Sequence, residues 1–404
     1  MSEQRFSLKQ LPRNVWAATL TSFFTDISSE MLVHLLPLFL MQVMGAKTAA
    51  IGLIEGLAET TASLLKIFSG WISDRLQTRK WPTVLGYGIS ALSKPFFLLV
   101  RTWPGVLVVR LADRIGKGIR TAPRDALIAD SIDPGHRGLA FGLHRAGDTG
   151  GALVGTLGAA LILTLSHQGA TLTLDAFRRI VWWSLLPAFL AVLVLALGAQ
   201  EVPVKAQREA PRLTLAGFDR RFKLFLLTVV IFTLGNSSDA FLILRAQERG
   251  LSPVAILLMV AGFNLIYTLA SGPAGALSDR LGRRRLLIGG WIIYALIYGG
   301  FALARTGWHI ALLYALYGLY YAANEGIAKA LIADLVKVEQ RGTAYGVYNA
   351  AIGLAALPAS FIAGLLWQTI APAAPFVFGA GLALLAALAV SRILGKGPIH
   401  ALSD

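Results

Sequence analysis

Charged side chains set inside long apolar runs are the residues of this 404-residue chain that could do chemistry. Asp26, Glu30 and His34 stand at i, i+4 and i+8 of one apolar stretch. On a helix they share a face within about 80°. Glu55 and Glu59 share a face of the next stretch, and farther on Arg110, Asp113, Arg114, Lys117, Arg120 and Arg124 fall within an arc of about 120°. His144, Arg145 and Asp148 follow in the stretch after that. A charge at the centre of a bilayer costs from about 3 to above 10 kcal/mol, so such groups must face a partner or a wet cavity. Making or breaking a carboxylate–guanidinium pair changes the carboxylate's hold on a proton, which ties protonation to motion. That chemistry is a proton relay, with Asp26, Glu30, His34, Glu59 and Arg114 as its expected carriers; an imidazole can join because it titrates near neutrality. For Glu55 and Lys66 the expected role is a fixed ion-pair network. Arg120 and Arg124 are expected near the membrane surface.

The elements that must hold these groups are membrane helices. The chain is 55% apolar and 15% charged, with a mean hydropathy of +0.63. Soluble domains carry about 25% charged residues. Twelve apolar windows are each long enough to span a bilayer: 15–44, 49–71, 82–101, 104–127, 139–165, 177–199, 222–246, 252–276, 286–304, 308–333, 343–368 and 373–394. They lack the alternation of barrel strands, so the fold class is an all-α membrane protein. The residues before the first window are polar and no small-residue cleavage site follows it, so it is read as a retained span. The net charge of +15 concentrates at the N-terminus (Arg5, Lys9, Arg13) and in alternate loops, among them Arg75, Arg79 and Lys80, then Lys205 to Arg221, then Arg280 to Arg285. Both termini are therefore expected in the cytoplasm, in the inner membrane of a bacterial-type cell. With no cysteine, disulfides, thiolate metal sites and cysteine nucleophiles are excluded. No tight His or Met cluster sits in a span, and no metal site is expected.

The chain repeats itself. Gly70-Trp-Ile-Ser-Asp74-Arg75 recurs as Gly275-Ala-Leu-Ser-Asp279-Arg280, followed by Arg283, Arg284 and Arg285. Ala126-Leu-Ile-Ala-Asp130 recurs as Ala330-Leu-Ile-Ala-Asp334, Arg137-Gly-Leu-Ala-Phe-Gly142 as Arg341-Gly-Thr-Ala-Tyr-Gly346, and Ser28-Ser29-Glu30 as Ser237-Ser238-Asp239. A duplicated bundle with a site between its halves is a general plan of secondary transporters. The expected organisation is a six-helix bundle over 1–199, a linker over 200–221 and a second six-helix bundle over 222–404.

The paired Gly-x3-Asp-Arg loops resemble the signature loop of the major facilitator superfamily, and with twelve spans the resemblance covers essentially the whole chain. The first copy has Gln77 and Thr78 where the pattern has Gly and Arg. The acids among these arginines can pair with a neighbouring helix and its dipole, giving a conformational latch of Gly70, Asp74, Arg75, Gly275, Asp279, Arg280 and Arg284. Arg114-x3-Gly118-x3-Ala122 is similar to the arginine motif of proton-coupled members. The fifth-span antiporter motif is matched poorly: Gly147, Gly150, Gly151 and Gly155 are present, but Ala152 stands where proline belongs, and these glycines read as close helix packing. The resemblance implies that the first, fourth, seventh and tenth spans line a cavity. It sets Asp26 and Glu30 across from Arg110, Arg114 and Lys117. The second half is poorer in such groups: Asn236 with Asp239, and Asn324 with Glu325, one turn before Lys329.

The expected function is secondary transport of a small organic molecule, proton-coupled and outward. Arg110, Lys117, Arg145, Asn236, Asp239, Asn324 and Glu325 form the expected substrate cavity. The aromatic residues Tyr317, Tyr320, Tyr321 and Phe241 near its acids suit an amphipathic or cationic substrate. The alternative is an organic anion or metal chelate held by the arginine-rich fourth span. A non-transporting receptor on the same fold would not need paired latches. No nucleotide loop or hydrolase elbow indicates an enzyme, and the basic residues do not form a nucleic-acid docking domain. Partners are expected to be the substrate, protons and lipid, with no cofactor, in a monomer.

Overall fold

The computed structural model describes residues 10–166, 171–203, 213–324, 327–337 and 340–393, and among these the secondary structure is helical, with no strand. In chain order the helices are α1 (Arg13–Val33), α2 (Leu36–Leu38, running into a π-helical turn at Phe39–Val43), α3 (Thr48–Arg75) and α4 (Lys80–Ser93, continued by a 3-10 turn at Lys94–Leu98). Next come α5 (Trp103–Asp130), α6 (Arg137–Leu165), α7 (Leu174–Gly198), α8 (Arg220–Gly235), α9 (Ala240–Glu248) and α10 (Pro253–Leu281). The last are α11 (Arg283–Leu303), α12 (Gly307–Asn324), α13 (Ile327–Leu335), α14 (Arg341–Thr369) and α15 (Ala374–Ile393). Among the described residues, each of the twelve apolar windows overlaps at least one helix. Among the described residues, 8 of these stretches are long and apolar enough to cross a membrane by length and composition. The others are α3 and α5, which carry the charges, α4, which breaks at Lys94-Pro95, and α12, diluted by tyrosines.

Packing divides the chain into two units that are not collinear with it. One comprises Met1–Leu35, Thr61–Ile162 and Leu174–Ala210, the other Leu36–Thr60, Leu163–Thr173 and Pro211–Asp404. In the first unit α1 lies along α7. Thr21 donates to the Ala191 carbonyl at 3.3 Å and Ser28 to that of Ser184 at 2.6 Å. Small residues also bring α6 onto α1. A Cβ added at Gly151 or Gly155 would run into the carbonyl oxygens of Phe23 and Ile27, so only glycine permits the approach. In the second unit α8 lies along α15, with Gly235 and Gly379 backbone to backbone. The first half of α3 packs on α14 there, joined by hydrogen bonds from Thr48 to the Gly364 carbonyl (2.9 Å) and from Thr60 to that of Gly353 (2.6 Å). Arg245, 1% exposed, donates to the Phe301, Ala302 and Ala304 carbonyls and so caps the end of α11.

Two contacts repeat with the sequence. Arg79 Nε meets Asp130 at 3.2 Å and Arg283 Nη1 meets Asp334 at 2.5 Å, each across 51 residues. Arg137 donates to the Ala129 carbonyl and Arg341 to that of Ala333, both at 3.1 Å across 8 residues. The turns preceding α4 and α11 both need a left-handed residue, Gln77 (φ 52°) in one and Gly282 (φ 84°) in the other.

Candidate functional site

The first unit gathers most of the ionisable groups singled out in the sequence. On α1, Glu30 Oε2 and His34 Nε2 are 2.6 Å apart, the one-turn spacing a helix dictates. Asp26, one turn earlier, has Asp148 and Glu30 as its facing acids and Arg120 and Lys117 as its facing cations; Glu30 faces Lys117 and Arg114 as well as His34. The expected meeting of the first and fourth spans is thus present. On α5, Arg110 lies 3.8 Å from Asp113, with both half-buried or deeper, while Lys117 is exposed. Arg145 on α6 is exposed too.

Arg120 and Arg124 are drawn into the packing of the unit. Arg120 is 7% exposed, donates to Ser90 Oγ at 2.7 Å and stacks its guanidinium over the Tyr87 ring at 4.3 Å. Arg124 binds Asp125 at 2.8 Å and donates to Ser22 Oγ at 3.1 Å. The physical reason is the shared arc. Residues a helical repeat apart point the same way, so the stripe that carries Arg110 and Arg114 inward carries Arg120 and Arg124 inward as well.

Lys94 belongs to this cluster and escaped the sequence reading. Its ammonium, 3% exposed, donates to Ser28 Oγ at 2.5 Å and Ser29 Oγ at 3.1 Å, directly before Glu30. It faces Asp113, Asp26 and Glu30. The signal was a lysine followed by proline inside an apolar window, where the helix must break and release backbone groups.

Glu59 lies in the second unit, exposed on α3, where it faces Tyr321. That unit breaks its first long helix at its centre. α8 stops at Gly235, Asn236 leaves the helix (φ −98°, ψ 80°), and α9 begins after Asp239. Ser238 anchors the break by donating its backbone N–H to Ser360 Oγ at 3.2 Å. The two polar residues of the break meet tyrosines: Tyr294 donates to Asn236 Oδ1 at 3.1 Å, and Tyr317 to Asp239 Oδ1 at 3.4 Å. Around them rings stack, Tyr294 on Tyr298 at 4.0 Å and Tyr317 edge-on to Tyr321 at 4.9 Å. Phe241 is buried against Trp367. Glu325, and the side chains of Asn324, Lys329, Asp279 and Arg280 with the surroundings of Gly275, lie outside the described residues.

In the signature loops, ion pairs form through Arg79 and Arg283. Asp74 pairs with Arg79, which also reaches Ser73 and Asp130, while Arg75 lies over the Trp71 ring at 5.7 Å. Gly70 lets α3 close on Ala122 of α5. In the second copy the pairing arginine is Arg283, and Arg284 donates to the Ser391 carbonyl at 2.8 Å. The repeat of Asp130 as Asp334 was the available signal, and it went unpaired with its arginines.

Comparison with known proteins fits this arrangement. The Major Facilitator Superfamily profile matches residues 18–244 and 224–401. The chain is 37% identical over 387 residues to an uncharacterized MFS-type transporter of Methanocaldococcus jannaschii, MJ1317, covering 94% of each chain. It is 25% identical over 320 residues, 76% of each, to the multidrug resistance protein MdtG of Salmonella paratyphi C. Among solved structures, the nucleoside transporter NupG superposes with a TM-score of 0.76 at 14% identity, covering 95% of this chain and 100% of that one. The chain thus belongs to the major facilitator superfamily and is a multi-pass membrane transporter, not an enzyme.

Proposed function

We propose that the protein exports a small organic molecule by alternating access, driven by protons. The bundles at 1–199 and 222–404 move about the 200–221 linker, both termini face the cytoplasm of a bacterial-type cell, and the chain works as a monomer in the inner membrane. The observation that carries this reading is the acid face of α1, Asp26 and Glu30, set among Arg114, Lys117 and Arg120 of α5. Changing those pairs changes proton affinity, so a conformational cycle that does so exchanges protons for substrate. Asn236 and Asp239 at the helix break, with Asn324 and Glu325, supply the substrate's polar contacts, as broken helices do in other transporter folds. The outward direction draws support from the multidrug resistance protein among the relatives. The signature loops at Asp74 and Asp279 latch one conformation.

A second reading has a specific observation in its favour. On α5, five cations (Arg110, Arg114, Lys117, Arg120 and Arg124) stand against three acids, Asp113, Asp125 and Asp130. Guanidinium forks suit carboxylates and phosphates, so Arg110, Arg114, Lys117 and Arg145 would bind an organic anion or metal chelate. A thermal-shift screen of organic phosphates, carboxylates and cationic dyes against the purified protein separates the two readings. Hits from the screen then enter proteoliposomes under an imposed pH gradient. Uptake should fall at least tenfold in Asp26→Asn and Glu30→Gln; full pH-driven transport in both variants overturns the proton-coupled reading.

A further inference from the structure

His144 on α6 is 4% exposed, yet neither ring nitrogen has a hydrogen-bond partner among the described residues. Its nearest acid is Asp148, one turn on, with Nε2 and Oδ1 3.7 Å apart. An imidazole left so carries the full desolvation penalty of its ring nitrogens, which a packing role would not demand. A small side-chain rotation brings this pair into hydrogen-bond range.

The glycine contacts fix where this pair stands. Gly147, Gly151 and Gly155 rest on Thr19, Phe23 and Ile27, so α6 and α1 run parallel in one constant register. That register sets His144 level with Trp16 and Asp148 level with Leu20 along α1, followed farther along α1 by Asp26, Glu30 and His34. At 1.5 Å per residue the series covers about 27 Å, close to the thickness of a bilayer's hydrocarbon core of about 30 Å. Each end is an imidazole one turn from a carboxylate, and Asp26, which faces both Asp148 and Glu30, stands between them.

We infer that His144 and Asp148 form a second proton-binding site that exchanges protons with Asp26, extending the relay to the end of the bundle where α1 and α6 begin. The inference rests on the proton-coupled reading above. The proton moves between existing groups: imidazolium or carboxylic acid gives it up, and the neighbouring carboxylate or imidazole takes it. The groups facing His144 are Asp148 and Arg145 on α6, with Arg124 and Asp125 on α5. Those facing Asp26 are Asp148, Glu30, Arg120 and Lys117, and Lys94 faces Asp26 and Glu30 from the turn after α4. Arg124 opposes a charge on His144 and Asp148 favours one, so movement of α5 relative to α6 gates the site.

The test is a pH titration of the 15N-histidine-labelled full chain in liposomes by solid-state NMR. The His144 signal is identified by its loss in His144→Gln, or in a variant that keeps His144 as the only histidine. The expected result is that the pH of half-change moves in opposite directions in Arg124→Gln and Asp148→Asn, by about half a pH unit or more, and also moves in Asp26→Asn. A signal that ignores all three substitutions, or stays in one neutral form at every pH where the protein is folded, overturns the inference. The readout needs no substrate, so it is independent of the transport assay. Unchanged pH-driven flux in Asp26→Asn and Glu30→Gln would refute the proton-coupled reading, whereas an inert His144 would refute only this extension.

Discussion

The two units carry the same ties at their helix ends and opposite chemistry in their interiors. Arg79–Asp130 and Arg283–Asp334 repeat, as do the arginine-to-carbonyl bonds at Ala129 and Ala333. Inside, the first unit holds Asp26, Glu30, Lys94, Arg110, Arg120 and Arg124, whereas the second holds a stack of tyrosines around one helix break. A duplicated chain needs the end contacts in both copies, because they fix how neighbouring helices meet. The interiors are free to diverge. Titratable groups in one unit and amphipathic rings in the other allow protons and substrate to be handled by different side chains.

The largest expected effect breaks the symmetry of the latches. Arg79 and Asp74 have side chains only 6% and 2% exposed, while those of Arg283 and Asp334 are 43% and 30% exposed. Removing one partner of a buried pair costs about 3–5 kcal/mol, and an exposed pair contributes at most about 1 kcal/mol. Arg79→Ala should therefore lower the thermal midpoint of the purified protein strongly and Arg283→Ala barely; equal losses would erase the distinction. Next in size is the helix contact in the first unit. Gly151→Ala should cost about 1–3 kcal/mol by overpacking α1 against α6. Gly289→Ala on α11, where the added Cβ meets open space, should be neutral or slightly stabilising by the same measurement.

A smaller effect concerns Glu201, after α7 and outside the spans. Burial pushes its carboxyl up. Hydrogen bonds from the Thr78 hydroxyl and from the backbone N–H groups of Arg79, Lys80 and Val202 outweigh that and hold it below its ordinary 4.5. A folded value below the unfolded one means that this stabilisation is complete above about pH 4.5 and is lost as pH falls through the folded value. Glu201→Gln should flatten the acid side of the stability–pH curve, and an unaltered curve would count against the role. The smallest effect is at the left-handed turns. Gln77→Gly should stabilise and Gly282→Ala destabilise, each by about 1 kcal/mol, read by denaturation of the purified variants.

Most of the fold was legible in the sequence because long apolar windows leave helices as the only way to satisfy the backbone in lipid. The acid face of α1 and the cations of α5 were legible from helical periodicity alone. Periodicity also carried Arg120 and Arg124 inward. Lys94 was hidden because a single lysine in an apolar window carries no period, and its role depends on serines 65 and 66 residues away. The pairing of Asp74 with Arg79 depends on how the turn at Gln77 folds back, which spacing does not reveal. The non-collinear units, with 36–60 packing among the later helices, arise from tertiary contacts such as Thr48 with Gly364 that no local pattern encodes.

The central claim is that protons are handled by the acid face of α1 and not by the acid at the α8–α9 break. Proteoliposomes loaded with pyranine, a pH-sensitive dye, and given a molecule that the thermal-shift screen identifies, report proton movement alongside substrate flux. Asp239→Asn should weaken apparent affinity by about tenfold yet keep the wild-type ratio of protons to substrate, while Asp26→Asn should abolish the pyranine response. A wild-type proton response in Asp26→Asn, or its loss only in Asp239→Asn, would contradict the account.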